Sequence, residues 1–352
     1  MIINKHLELH PGDRILISRS DRLGDLILAL PFVETMKVRY PECRIEALAS
    51  LYASPVLENN DRIDYIIRVQ NDHLLSDKLY KKDLLRKIAQ RRYRAVIALY
   101  PERHICYLFY KAGIPVRIGT AGRFHSVLFN YHLFHSRKSN KKHEYEYNLD
   151  FLHFFRDGDV VTTPRVYLRP KEIAHATRIL KGAGVEGHFV VLHPGSGGSA
   201  ERWPVEKFIR LFQILQKLGL MVVISGSEPE RTMIKRICAK LRIKVNQVAG
   251  ETDLRTLAAV LSLATVVVAN STGPLHLATA VGTKVVGLYP GKKIMSPKRW
   301  GPLGDDHRVI QPHQEECHCL PKQCRCMESI TIDEVAEQVV GLFTAVTAGE
   351  TA

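Results

Sequence analysis

Three short stretches of this 352-residue sequence set polar and flexible residues where an anion or a transferable proton could be handled. The first is NSTGPLHLATAVGT, residues 270–283. Ser271 or Thr272 is a natural helix N-cap there, and Pro274 suits the first helical turn. A helix starting at Gly273–Pro274 turns free N–H groups and a positive dipole end toward the preceding strand end, which suits an anion. Gly273 permits close backbone approach, and His276 adds a hydrogen bond or, once protonated, a charge. The plain alternative is an ordinary strand-loop-helix turn with a satisfied core histidine.

The second stretch is HPGSGGSAERWP, residues 193–204. Gly195, Gly197 and Gly198, with Ser196 and Ser199, offer backbone N–H groups and hydroxyls to a phosphate. It lacks the Gly-Lys-Ser/Thr of a P-loop and does not open a helix with GxGxxG, so a simple flexible loop competes with that reading. The third is SRSDRLGDLILALP, residues 18–31, with carboxylates Asp21 and Asp25. Asp25 is either a helix N-cap or a general base ready to accept a proton. Neighbouring Arg19 and Arg22 could meet an anionic acceptor. A fourth cluster, Cys317, Cys319, Cys324 and Cys326 with His318, has ligand types that suit a structural zinc. Its C-x-C pairs are strained chelates, so a redox or disulfide pair and plain reduced thiols stay open.

These stretches need elements to position them. Arg14–Ser18 reads as a buried strand, followed by a polar loop and a helical face of Leu26, Leu30, Val33 and Met36, then a strand at Ile45–Ala49. Strands are expected at Tyr65–Val69 and Ala95–Leu99, with a charged helix between them. The second half repeats this grammar more clearly. Strands at Phe189–His193, Met221–Ser225, Val245–Ala249, 265–270 and 284–290 alternate with helical segments. Apolar, non-alternating strands separated by helices imply parallel sheets covered on both faces. The reading is two doubly wound α/β domains with a boundary near residues 162–170. Ligands then sit at strand-to-helix loops, where all three polar stretches fall.

Fifty Lys and Arg against 36 Asp and Glu give a net charge of +14, with sixteen His besides. Such a surface attracts polyanions or an anionic membrane. Residues 101–145 hold eight Lys/Arg, including Arg117 and Arg123, against Glu102 and Glu144. This is either a solvated basic face or a docking surface. No RRM, KH or helix-turn-helix signal supports nucleic-acid binding. No apolar stretch reaches the roughly 20 residues that span a bilayer, and the N-terminus lacks a signal-peptide core, so a cytoplasmic protein is expected.

Taken together, HPGS…ERWP, the (S/D)TGPxHLA-type segment at 271–278 and the N-terminal LGD helix resemble glycosyltransferase family 9, the ADP-heptose:lipopolysaccharide heptosyltransferases. The resemblance runs from about Arg14 to Leu342. It implies a GT-B architecture: two Rossmann-like doubly wound parallel-sheet domains with an interdomain cleft. The acceptor domain would span residues 1–165, the nucleotide-sugar domain 166–330, and a C-terminal helix in 331–352 would pack back on the first domain. It implies inverting, metal-independent transfer of heptose from ADP-heptose to an anionic lipopolysaccharide core, with peripheral contact at the cytoplasmic face of the inner membrane. Asp25 matches the base. Ser196, Arg202, Thr252, Ser271, Thr272, Gly273 and His276 match donor-binding positions, and the ribose carboxylate falls on Glu228 or Glu230. Arg19, Arg22, Arg117 and Arg123 are the acceptor candidates. Two departures stand out: relatives often carry Lys where this chain has Glu201, and Asp where it has Ser271. The competing readings are the same fold using another nucleotide sugar, and a non-catalytic nucleotide-sugar-binding module.

Overall fold

A computed structural model of the chain describes residues 6–198, 200–241, 245–250, 252–313 and 325–349. The chain divides into two compact units between Pro164 and Arg165.

The first unit carries β1 (Arg14–Ser18), α1 (Leu23–Ile27), α2 (Leu30–Arg39), β2 (Arg44–Ser50), β3 (Tyr65–Val69), α3 (Asn71–Ser76), α4 (Lys78–Gln90), β4 (Ala95–Ala98), α5 (Arg103–Lys111), β5 (Val116–Thr120), β6 (Tyr131–Leu133) and α6 (Glu144–Leu149). Its strands pair in parallel in the order β3-β2-β1-β4-β5-β6. Ile17 of β1 stands between Ala47 of β2 and Ile97 of β4. The sheet is covered on both faces, so its central strands read as unbroken apolar runs. One core packs Ile15, Phe32, Met36, Ile97, Phe151 and Phe155 together, and another packs Leu16, Leu48, Val96, Phe109 and Phe129.

The single helical face read over Leu26–Met36 is two helices. Pro31 sits in the first turn of α2 and has no N–H to give the Ile27 carbonyl, so α1 ends and a new helix starts. Glu46 of β2 is fully buried, yet it serves the frame and not the site. Arg14, Arg91 and the Tyr93 hydroxyl all donate to it, at 2.5–2.7 Å.

The second unit carries α7 (Pro170–Gly182), β7 (Phe189–His193), α8 (Val205–Lys217), β8 (Met221–Ile224), α9 (Arg231–Leu241), β9 (Asn246–Gln247), α10 (Leu254–Leu263), β10 (Val266–Asn270), α11 (Gly273–Ala280), β11 (Lys284–Leu288), α12 (Pro297–Trp300), β12 (Arg308–Ile310) and α13 (Ile332–Gly349). Its parallel order is β12-β11-β10-β7-β8-β9. Counted from its own first strand, that is the same order as in the first unit. Each sheet therefore reverses direction beside its first strand, at β1/β4 and at β7/β10. Loops leaving the carboxyl ends of those two strands part there and open a crevice.

The C-terminal helix the resemblance implies is present as α13, and within the second unit its apolar face has a definite place. Val335, Ala336, Val339 and Leu342 of α13 are buried in the second unit's own core, where the helix packs on α8. Their i, i+4, i+7 spacing forms one apolar face, and that face is spent there. Trp203 closes the same core. It is fully buried, edge-on to Phe208, and its indole N–H donates to the Ile330 carbonyl at 3.1 Å.

Candidate active site

At the first switch point, the loop after β1 leads into the short helix α1. Its N-cap is Arg22, and Asp25 stands inside the first turn with its side chain directed elsewhere. The Asp25 carboxylate takes a 2.5 Å hydrogen bond from Arg19. Arg19 is itself buried and fully committed. Its Nε donates to Asp21, and Nη1 donates to both Glu144 and Asn148 from α6. Glu144 is fully buried and also receives Arg137.

One guanidinium is thus shared by three carboxylates. Burial opposes its charge, but Asp21, Asp25 and Glu144 outweigh that and hold Arg19 protonated well above its ordinary range. For Asp25 the balance goes the other way. Burial, with Asp21 beside it, outweighs the pull of Arg19 and pushes its carboxyl up to about 7. A carboxylate so placed is a stronger base than a free one and still ionises near neutrality. Across the switch point, after β4, Glu102 accepts from Ser20 at 3.0 Å, and burial pushes it up as well. The Tyr100 ring centroid lies 5.6 Å from Arg19 Cζ and 5.0 Å from Arg123 Cζ.

Two of the four arginines expected to meet an acceptor are engaged within the first unit. Arg19 is 2 % exposed and donates to four side chains, which commits it to holding the carboxylate cluster. Arg117 donates to the carbonyls of Ile114 and Leu128, which makes it a clamp on the loop between β5 and β6. Arg22 and Arg123 are exposed at the loops that follow β1 and β5.

In the second unit, the glycine loop after β7 and the start of α11 after β10 lie side by side. Asn270, fully buried at the end of β10, ties them. Its Nδ2 donates to the carbonyls of Pro194 and Gly195, and its Oδ1 accepts from the Trp203 N–H at 2.9 Å. Ser196 is buried in this loop, and Gly197 and Gly198 adopt φ of +51° and +72°. Those left-handed angles are what glycine allows cheaply.

Glu230 supports the loop from below, accepting the Gly197 N–H at 3.2 Å. It also takes the Ser227 N–H and hydroxyl at 3.0 and 2.7 Å. A Cβ on Gly195 would fall 1.9 Å from the Glu230 carboxylate. Burial pushes Glu230 up, but His193 and these hydrogen bonds hold it below the usual range. Of the two ribose candidates, Glu230 is therefore occupied in shaping the loop. Glu228 is 65 % exposed, near Arg231.

Thr272 is the N-cap of α11, but its hydroxyl donates to the Asn270 carbonyl and leaves the helix end uncapped by a side chain. Pro274 falls in the first turn as the spacing predicts, and His276 is buried one turn in. The Ser271 hydroxyl is hydrogen-bonded to Tyr289, whose own hydroxyl donates to the Trp300 carbonyl at 2.6 Å. Glu201 pairs with Lys292 from the loop after β11. Ser196, Gly197, Gly198, Glu201, Arg202 and Glu230 line an open cavity of about 480 Å³. Arg202 is exposed, with Nη1 3.6 Å from the Met233 sulfur. Thr252 is half-buried just before Asp253, which caps α10 by accepting the Thr256 N–H.

A larger cavity of about 890 Å³ lies around Arg14, Tyr65 and Arg91, and none of the three polar stretches lines it. Among the described residues no group of three or more His, Cys, Asp or Glu side chains could hold a metal ion. Cys317, Cys319, Cys324 and His318 lie outside the described residues, while Cys326 is buried in the second unit's core. Likewise among the described residues, no helix is long and apolar enough to cross a membrane.

Sequence reasoning missed Glu144, Asn148, Asn270 and Lys292. Asn270 ends an apolar strand and precedes two more polar residues, which is the one local signal available. Glu144 lies 125 residues from its partner Arg19, beyond any local pattern.

A sequence model of glycosyltransferase family 9 (heptosyltransferase) matches residues 82–329 of this chain. A Haemophilus influenzae protein described provisionally as a glycosyltransferase is 27% identical over 341 residues, covering 93% of this chain and 96% of its own length. Lipopolysaccharide heptosyltransferase 3 of Escherichia coli is 24% identical over 274 residues, 76% of this chain and 79% of its own. The solved structure of the E. coli ADP-heptose lipopolysaccharide heptosyltransferase II has a TM-score of 0.78 at 21% identity, covering 95% of this chain and 99% of that one.

Proposed function

Since the chain belongs to glycosyltransferase family 9, a GT-B glycosyltransferase family, we propose that it moves a heptose from ADP-heptose to the lipopolysaccharide inner core with inversion and without a catalytic metal. The observation that carries this reading is Asp25: a carboxyl pushed to about 7, held by Arg19 at the switch point of the first sheet. In this reading Asp25 Oδ takes the proton of an acceptor hydroxyl. The acceptor oxygen forms its bond to the anomeric carbon from the face opposite the diphosphate. The bond from that carbon to the diphosphate oxygen breaks, and its electron pair leaves with ADP. The leaving group needs its growing negative charge met, and no general acid.

The parts for that task are in the second unit. The open N-terminus of α11 with Gly273 and His276, the Ser196–Gly198 loop and Thr272 would face the phosphates. Glu228, free of the loop-shaping duty that occupies Glu230, would accept from the ribose hydroxyls. Arg202 and Lys292 supply positive charge, Lys292 offsetting Glu201 at the rim. Thr252 would border the nucleobase. Arg22 and Arg123 would meet an anionic acceptor presented at the cytoplasmic face of the inner membrane.

Ser271 favours a second reading at the donor sugar. Where relatives often place a carboxylate, this chain has a hydroxyl already engaged by Tyr289, so a different nucleotide sugar is the alternative donor. A screen of nucleotide sugars against purified protein decides between them. Transfer or hydrolysis of ADP-heptose, lost in Asp25→Ala, is the expected outcome. No turnover of any nucleotide sugar, or full activity in Asp25→Ala, removes the catalytic reading and leaves a binding module.

A further inference from the structure

All six strands of the first sheet run parallel, so the loops after their carboxyl ends lie along one edge, the edge that carries Asp25. At one end of it, after β5 and β6, three large apolar side chains stand almost wholly in solvent. Phe124 is 89 % exposed, Val127 78 % and Phe134 84 %. They form one tip. The ring of His132 lies 6.5 Å from that of Phe134, and its Nε2 is 2.9 Å from the Ser126 carbonyl, between Phe124 and Val127 in the chain.

The tip is held from inside. Phe129 is buried where a Cβ on Gly119 would fall 2.3 Å from its ring. Arg117 grips the carbonyls of Ile114 and Leu128, and the Asn130 side chain takes the Arg117 N–H at 2.7 Å. The exposed residues are therefore presented by a braced loop, with little ordering left to do on contact.

We infer that the tip at Phe124, Val127 and Phe134 inserts into an anionic lipid bilayer, beside the Asp25 carboxylate cluster. The inference deepens the membrane contact proposed above and rests on that reading. Charge selects the occupant. Residues 121–142 contain no Asp or Glu, and Lys138, Lys141 and Lys142 of that stretch are exposed. Exposed cations set beside aromatic and aliphatic side chains suit the headgroup boundary of an anionic leaflet. Three apolar side chains are too few for the core of a stable protein interface, which covers about 800 Å² on each partner. The link to the site is short, because the Tyr100 ring touches both Arg123 at the tip and Arg19 beneath Asp25.

The test is flotation of the full chain with vesicles of phosphatidylcholine alone and of phosphatidylcholine with a quarter phosphatidylglycerol, at several salt concentrations. The wild type is expected to float with the anionic vesicles and to lose binding as salt rises. The triple substitution F124S/V127S/F134S, all at exposed sites, is expected to weaken that binding at least tenfold, and K138E/K141E to weaken it in the same direction. Undiminished binding by the triple variant overturns the inference. So does a concentration-dependent dimer that the triple variant abolishes, which would make the tip a contact between copies. Turnover on a delipidated, water-soluble acceptor separates this from the catalytic reading: the triple variant is expected to keep it, and a wild type without it fails the enzyme proposal while leaving vesicle binding to stand or fall alone.

Discussion

Two carboxylates of the first unit show how environment assigns roles at the residue scale. Glu46 is met by two guanidiniums and a phenol, which ties it into the frame. Asp25 has one guanidinium, divided with Asp21 and Glu144, and is pushed to about 7. Protonated, Asp25 cannot take up the acceptor's proton. The rate is therefore expected to be low in acid, to rise through pH 7 with one proton lost, and to level off above it. Asp25→Asn is expected to lower kcat by roughly 10²–10⁴-fold, the usual worth of a positioned base. Asp21→Asn removes the neighbouring charge that raises Asp25 and frees Arg19 to hold it, so the acid limb should move to lower pH. A profile that stays in place or moves up in Asp21→Asn counts against this account. Asp25 itself is legible in the sequence as a carboxylate after glycine at a strand-helix loop. Its raised pKa is not, because the burial that dominates it is a tertiary property, and Glu144 reaches Arg19 from 125 residues away.

At the element scale, the strands are the legible part. β1, β3 and β7 begin and end where an apolar run bounded by polar loops predicts, because burial on both faces demands such runs. Helix continuity is less legible: the apolar face over Leu26–Met36 continues across a break that Pro31 imposes. The glycine loop is legible as flexible, while its shape depends on Asn270 at the end of β10 and on Glu230 in the turn after β8. Asn270→Ala leaves the Trp203 N–H and two carbonyls without their partner in a buried place. That should cost roughly 1–3 kcal/mol for a group left unsatisfied, measured by denaturant unfolding, and raise KM for the donor. Gly195→Ala drives a methyl into the Glu230 carboxylate and should impair donor binding more than folding, read by nucleotide titration beside a melting curve. Val339→Asp tests α13. Placing a charge in the second unit's core should destabilise the protein by about 4 kcal/mol or more if the helix belongs there. A near-silent Val339→Asp would mean that α13 does not close this core.

For the whole molecule, the same order of six parallel strands occurs twice, and each switch point collects one kind of chemistry. The first gathers carboxylates around a single arginine, and the second gathers glycines, hydroxyls and an open helix end. In the proposed reaction both would meet negative partners, on which the net charge of +14 acts from a distance. The charge is legible from composition, but composition does not say which step it serves. Exposed charges are screened over about 10 Å at 0.1 M salt, while buried pairs such as Arg19 with Asp25 are screened much less. Raising ionic strength from about 0.02 to 0.2 M should therefore slow encounter with an anionic acceptor and raise its KM severalfold, with kcat nearly constant. Arg123→Gln should flatten that salt dependence, because Arg123 is an exposed cation at the acceptor edge. Steady-state kinetics across the salt series separate the two parameters. A fall in kcat with KM unchanged would mean that salt reaches the Arg19 cluster itself, and that the surface charge has no part in bringing the acceptor to Asp25.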